Sequence, residues 1–372
     1  MIPVNTPLLD GNEKKYLIEC IDTGWISSEG PFIKKFEELF SQTVQRKYGI
    51  AVANGSAALE IAAKAIGIKA GDEVILPSFT IISPTAAITN LGAIPVLVDS
   101  CFSTWNMDVE QIEGKITSKT KAILVVHIYG LPVDMDKILH LAQKYNLKVI
   151  EDAAEMHGQT YKGKPCGSFG DVSTFSFYPN KHITTGEGGM IVTNDDTIAE
   201  KSRNYRNLCF LPYKRFVHEE IGWNYRMTNL QAALGLAQLE RLDEFVVKKR
   251  KMGAFYQKSF ENNPFIELSS TEISYAQSIY WVFGMVLKDS YPHDAEFIMK
   301  KLAEVGIGTR PFFYPMHLQP VYQNMGLFEG ETYPIAERMA NRGFYIPSGL
   351  GLQENEMAEV VEKVTRILKT FA

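Results

Sequence analysis

Val149-Ile150-Glu151-Asp152-Ala153-Ala154-Glu155 is an apolar run that turns acidic at its end. Short β-branched runs bounded by turn residues read as buried strands, and the ligands of a parallel sheet gather outside the carboxyl ends of its strands. The carboxylates therefore mark the working edge of a sheet, with Asp152 as its best-placed acid. Working outward, similar runs recur at residues 49–53, 73–76, 94–98 and 121–126, with helical patterns at 57–66, 84–91 and 135–145. That alternation is the signature of parallel βαβ units. Residues 173–177 and 189–193 extend the same sheet. Leu230, Leu234, Ala237, Leu242 and Phe245 keep helical spacing, so residues 227–256 read as one long helix. It would join a large domain, residues 1–240, to a smaller one, residues 241–372. An extended run at 279–287 and helices at 295–305 and 354–371 give that second part an α+β character.

Composition narrows the partners. A chain of 372 residues that is 45% hydrophobic buries a large core. A net charge of -5 leaves no basic footprint, so nucleic acid is not an expected partner. The run Lys248-Lys249-Arg250-Lys251 reads as a solvated helix face. The four cysteines lack the close pairing and density of a secreted disulfide scaffold, which points to a reducing cytoplasm. The first residues carry no basic start followed by an apolar stretch, and no apolar run is long enough to cross a bilayer, so export and membrane insertion are not expected.

Three segments carry the residue types of a site that grips a charged cofactor. Asn54-Gly55-Ser56-Ala57-Ala58 ends a strand and opens a helix, so free backbone N–H groups and the helix dipole face whatever sits there. A phosphate fits such a place, and an ordinary capped turn is the plainer alternative. Asp152, opposite a protonated ring nitrogen at ~4 Å and an effective dielectric of ~20, would stabilise that nitrogen by roughly 4 kcal/mol, about three pKa units. In isolation it would serve equally well to cap the next turn. The third segment is Ser176-Phe177-Tyr178-Pro179-Asn180-Lys181-His182-Ile183-Thr184-Thr185-Gly186-Glu187-Gly188-Gly189, where a lone amine lies between an apolar strand and a glycine-rich turn. An unperturbed lysine of pKa ~10.4 is neutral in only about one molecule in a few thousand at pH 7. Burial beside positive charge would free Lys181 as a nucleophile, whereas a snorkelling surface lysine is the alternative. Together the three supply a phosphate cradle, a ring-nitrogen partner and an amine that condenses with an aldehyde, in the order a pyridoxal phosphate site requires.

These segments, with Gly222-Trp223-Asn224-Tyr225-Arg226-Met227, resemble the DegT/StrS family of nucleotide-sugar aminotransferases over nearly the whole chain. The resemblance implies an α/β fold type I architecture like that of aspartate aminotransferase, with a mostly parallel sheet in the large domain and a small C-terminal α+β domain. It implies pyridoxal 5'-phosphate as cofactor, glutamate as amino donor, a nucleotide-linked 4-keto-6-deoxysugar as acceptor, and a homodimer with composite sites. Lys181 would be the amine joined to the cofactor and Asp152 the partner of its ring nitrogen. Gly55, Ser56 and Ala57, with Ser176, would hold the phosphate, and Asn224 would reach it from the neighbouring subunit. Glu155 would lie near the cofactor, and Trp25, Tyr314 and His317 would border the sugar-nucleotide pocket. Trp25-Ile26-Ser27-Ser28, Thr184 to Met190, and Arg310-Pro311 with Pro315-Met316-His317 are most similar to members that aminate GDP-4-keto-6-deoxymannose at C4. A dTDP- or UDP-linked sugar is the alternative acceptor. The implied setting is supply of an aminosugar for a surface polysaccharide such as an O-antigen.

One departure stands out. Relatives carry an aromatic ring-stacking residue after the threonine matched by Thr80, whereas this chain has Ile81, so the cover is Ile81 or Phe79. His182 is either a packed histidine or a proton shuttle. The seven histidines are scattered, with no i, i+4 pair and third ligand, so no metal site is expected. Two rival activities share the scaffold. A sugar dehydratase has histidine at the lysine position, and a non-catalytic dimeric regulator has no need of amine, acid and cradle together.

Overall fold

The strands read from the sequence assemble into one seven-stranded sheet, in a computed structural model that describes residues 1–211 and 213–372. They are β1 (Tyr48–Val52), β2 (Glu73–Pro77), β3 (Ile94–Val98), β4 (Thr120–Val126), β5 (Lys148–Asp152), β6 (Val172–Ser176) and β7 (Gly189–Thr193). In space they run β1-β7-β6-β5-β4-β2-β3. β7 pairs antiparallel with both β1 and β6, and the remaining pairs are parallel. The carboxyl ends of β1, β5 and β6 therefore share one edge.

Helices cover both faces, which is why the strands read as continuous apolar runs. They are α1 (Glu13–Thr23), α2 (Pro31–Thr43), α3 (Gly55–Ala65), α4 (Ile82–Thr89), α5 (Met135–Tyr145), α6 (Asp196–Arg206), α7 (Asn229–Leu239) and α8 (Leu242–Phe260). Ile50, Leu124 and Ile150 share a core with the alanines of α3. Their neighbours Ala51, Ile123 and Val149 pack on the other face, in a core that holds Phe36, Phe40, Ile138 and Leu236. α3 starts where it does because the Asn54 side chain accepts the Ala57 N–H, a cap contact worth about 1 kcal/mol.

The single helix expected over residues 227–256 is two, α7 and α8, interrupted at Glu240 and Arg241. Neither residue breaks helices by propensity, and the interruption goes with long-range contacts. Glu240 accepts hydrogen bonds from Asn12 and Tyr16 at 2.7 and 2.6 Å, while Arg241 pairs with Asp10 and Glu244. Beyond α8 lies a four-stranded antiparallel sheet of β8 (Ile266–Glu267), β9 (Phe283–Leu287), β10 (Arg310–Pro311) and β11 (Gly343–Ile346), ordered β8-β9-β11-β10. Residues 279–282 of the expected extended run lie outside the strand. Helices Ala295–Glu304 and Glu354–Thr370 share this sheet's core. Among the described residues, no helix is long and apolar enough to cross a membrane.

Lys249 corrects the reading of its basic run as a wholly solvated face. It is 3% exposed, and its ammonium donates to the carbonyls of Trp281, at 2.7 Å, and Ser348. It thus ties α8 to the second sheet's layer. Burial without a carboxylate partner brings its amine down to about 7. A base whose folded-state pKa lies below its unfolded value opposes folding while it must be charged. That cost fades as pH climbs from about 7 toward the unfolded ~10.4. The stability of the wild type relative to Lys249→Met should therefore rise by roughly 3–4 kcal/mol between roughly pH 7 and pH 10, as read from urea midpoints. A difference that stays flat across that range would contradict a buried, titrating Lys249.

Candidate active site

A cavity of about 570 Å³ opens at the shared carboxyl edge of the large sheet. Gly55, Ser56, Ile81, Asp152, Glu155, Ser176 and Lys181, all singled out in the sequence, line it. The wall at the α3 N-terminus is built by close approach. A Cβ on Gly55 would fall 2.8 Å from Ser176 Cβ, and one on Gly189 would fall 2.4 Å from the Asn54 carbonyl oxygen. The Gly55 and Ser56 N–H groups have no carbonyl one turn back to bind. Ser56 Oγ and Ser83 Oγ, 2.7 Å apart, add hydroxyls beside them. Ala57 is a correction. Its N–H is taken by the Asn54 cap and its side chain is buried away from the cavity, so it is no phosphate donor.

Charge is concentrated at the base of the cavity. Lys181 Nζ lies 3.9 Å from Glu155 Oε1, with the two side chains 10% and 7% exposed. Burial lowers the Lys181 amine and raises the Glu155 and Asp152 carboxyls, and the mutual attraction of amine and acids partly offsets each shift. Asp152 Oδ1 also accepts the Ala154 N–H at 3.0 Å. Glu155 Oε2 accepts the Tyr129 N–H at 2.7 Å. Tyr129 adopts a φ of 52°, a left-handed conformation that costs a bulky residue on the order of 1–3 kcal/mol.

Neutral histidines surround this charge. Burial holds His157 down at about 3, and His182, also pushed far down by burial, sits 3.3 Å from the Ile279 carbonyl and does not line the cavity. His182 is thus a packed histidine. His127 does line the cavity. Its Nδ1 accepts the Val133 N–H at 3.0 Å, which leaves Nε2 to donate to Glu151 at 3.2 Å. His127, Glu151 and Cys166 form, among the described residues, a buried group with ligand-type atoms within 4.8 Å of one another. Glu151 already accepts N–H groups of Gly167 and Phe169 and the Ser173 hydroxyl. Although burial opposes its charge, these bonds and His127 hold its carboxyl at about 2, so it stays an anion under Asp152.

Other expected residues lie elsewhere. Phe79 is fully buried among Tyr129, Phe312 and Phe313 and does not line the cavity, whereas Ile81 does. His317 is 2% exposed, clamped 2.9 Å from both Ser78 Oγ and Glu337 Oε1, and the structure makes it a packing residue rather than a cavity wall. Tyr314 lines a separate surface cleft, and Trp25 is exposed outside the cavity. Asn224, also outside it, receives the Arg226 guanidinium. Conversely, Trp281, Phe313 and Tyr345 reach the cavity from the C-terminal part, with the Lys181 amine 3.9 Å from the centre of the Trp281 ring. No spacing in the sequence announces them, because their partners lie far away along the chain.

Thr80 Oγ1, Thr174 Oγ1 and Asn180 Oδ1 belong to cavity-lining residues and are buried polar atoms without partners among the described residues. Such orphans, beside a donor cradle, an acid and an amine, fit a phosphate-bearing polar ring. Fold and site together define a pyridoxal phosphate-dependent aminotransferase. The chain belongs to the DegT/DnrJ/EryC1/StrS aminotransferase family, whose model matches residues 7–365. It is 44% identical over 363 residues to GDP-perosamine synthase of Escherichia coli O157:H7, covering 98% of this chain and 97% of that one. The GDP-perosamine synthase of Caulobacter vibrioides is 43% identical over 373 residues, covering 99% and 98%. The putative sugar aminotransferase Spr1654 from Streptococcus pneumoniae, solved in its PLP form, superposes with a TM-score of 0.92 at 25% identity, over 100% of this chain and 99% of that one. Because Gly55 has no room for a side chain against Ser176, Gly55→Ala should weaken pyridoxal phosphate binding by about tenfold, roughly 1.4 kcal/mol. Absorbance titration of cofactor-stripped protein measures it, and an unchanged affinity would remove the cradle from that place.

Proposed function

We propose that the protein moves the amino group of glutamate to C4 of a GDP-linked 4-keto-6-deoxyhexose, with GDP-4-keto-6-deoxymannose as acceptor and GDP-perosamine as product. The chemistry is carried by one observation, the buried Lys181 amine beside Glu155 in a cavity shared with Asp152. The choice of GDP is supported by the GDP-perosamine synthases, 44% and 43% identical over almost their full length. When bound, pyridoxal phosphate supplies a carbon that takes up and gives out an amino group, and a ring that draws electrons from it.

The chain's own residues bind, hold and move protons around that group. The N–H groups of Gly55 and Ser56, with Ser176 Oγ, would bind the phosphate at the positive end of α3. Asp152 would keep the ring nitrogen protonated, and Ile81 would cover the ring. Lys181 would be the chain's amine for the reactive carbon. When not joined to that carbon, its Nζ would accept a proton from the donor's Cα as a general base and return one as a general acid. Glu155 steadies the charge that Nζ then carries. 2-Oxoglutarate leaves before the keto-sugar enters, so both half-reactions use one cavity.

Lys181 is the cavity's one lysine or arginine among the described lining residues, against Asp152, Glu155 and Glu187. Both substrates are anions. We therefore read the active form as a homodimer in which the segment carrying Asn224 completes the neighbouring copy's phosphate site. The exposed apolar side chains of Ile21, Trp25, Ile26, Phe216 and Ile221 support that reading. In the same dimer, Trp25 and Tyr314 remain candidate contacts for the nucleotide. The four unpaired cysteines suit a cytoplasmic enzyme supplying an aminosugar for a surface polysaccharide.

Lys181→Ala should lower kcat by about a thousandfold or more with the thermal midpoint retained. Multiple-turnover amination by that variant would refute the role. Given glutamate and a panel of keto-sugar nucleotides, the wild type should show its highest kcat/KM with the GDP-linked sugar. A preference for the dTDP- or UDP-linked sugar would overturn the choice of nucleotide and leave the chemistry standing.

A further inference from the structure

Trp281 touches the reacting amine from the far layer of the molecule. Its ring centre lies 3.9 Å from Lys181 Nζ, and its Nε1–H donates to the carbonyl of Asn180, the residue before that lysine, at 2.8 Å. Its backbone carbonyl accepts the buried Lys249 ammonium at 2.7 Å, and its ring lies at 15° to that of Phe313. The indole is 3% exposed. It is therefore fixed at its backbone, its N–H and its flank, and the face it offers Lys181 is dry.

We propose that Trp281 is a positioning residue for Lys181, in which the indole face is the resting place of the amine as a cation whenever it is not joined to the cofactor, and the indole N–H fixes the backbone that carries it. A desolvated ammonium needs electron density on more than one side. Glu155 supplies one side at 3.9 Å and the ring quadrupole supplies another. Without such a seat the released amine would swing among rotamers of a long side chain. With it, Nζ returns to one place between half-reactions, as proton transfer requires. The inference rests on Lys181 being the reacting amine.

The charged and titratable groups around Nζ make the effect of removing the ring readable. Asp152 and Glu155 favour its charged form, His157 and His182 are neutral, and Lys249 acts on His182 from beyond the indole's backbone. Tyr345 lines the same cavity. Trp281→Leu keeps the site apolar but deletes the π face and the N–H. Trp281→Phe keeps a weaker π face. In cofactor-stripped protein, the amine is titrated by the pH dependence of Lys181 labelling with fluorodinitrobenzene, quantified on the Lys181 peptide by mass spectrometry.

The midpoint should fall by about one pH unit in Trp281→Leu, the equivalent of ~1.4 kcal/mol of lost cation–π attraction, and by a smaller step in Trp281→Phe. If the leucine variant does not fold, the phenylalanine variant decides alone. A midpoint equal to or above that of the wild type, in a variant with an unchanged circular dichroism spectrum, overturns the proposal. The two readings fail separately. Retained turnover in Lys181→Ala would remove the assignment of the amine, whereas an inactive Lys181→Ala together with an unmoved midpoint in the Trp281 variants would remove the seat alone.

Discussion

One ammonium and two carboxylates held out of water in a single cavity set the terms for the rest of the molecule. Alone, Lys181 would lose its proton there, and Asp152 or Glu155 would gain one. Together they offset part of what burial costs each of them, and breaking such a buried pair costs on the order of 3–5 kcal/mol. That cost is met only if every member is held in place. Asp152 is held by the end of β5, Glu155 by the Tyr129 N–H in a strained turn, and Lys181 by a loop whose neighbouring carbonyl is tied to Trp281.

The sheet explains why the three meet. β7 runs against its neighbours, so the chain leaves β6, turns back past β1 and brings Gly189 against the start of α3. The glycine-rich turn after Lys181 is therefore a packing requirement as much as a catalytic one. The cradle and the amine are two consequences of the same reversal. Closure comes from the C-terminal layer, where Lys249 donates to the carbonyl of the residue whose ring faces the amine. Neutral His157 and His182 pack outside the cavity wall, adding aromatic bulk without a competing charge.

What was legible in the sequence follows the range of the forces involved. The seven strands of the large sheet could be read because a doubly covered sheet demands uninterrupted apolar runs. The α3 cap could be read because it closes within three residues. The break between α7 and α8 could not, since Glu240 and Arg241 answer to Asn12, Tyr16 and Asp10 at the other end of the chain. Lys249 looked like one more solvated lysine because its acceptors, the carbonyls of Trp281 and Ser348, are distant backbone atoms. Motif likeness located the segment around His317 but not its orientation, which is set by Ser78 and Glu337.

The central claim is that the amine made reactive by this cavity is that of Lys181. Lys249 offers the most direct contest, because it too is buried with its amine pulled down, to about 7, but it faces backbone carbonyls and lies outside the cavity. Incubating the protein with pyridoxal phosphate, reducing it with borohydride and weighing its peptides distinguishes the two. The account predicts a pyridoxyl group on the peptide that carries Lys181, whereas a group on Lys249, or none at all, would contradict it.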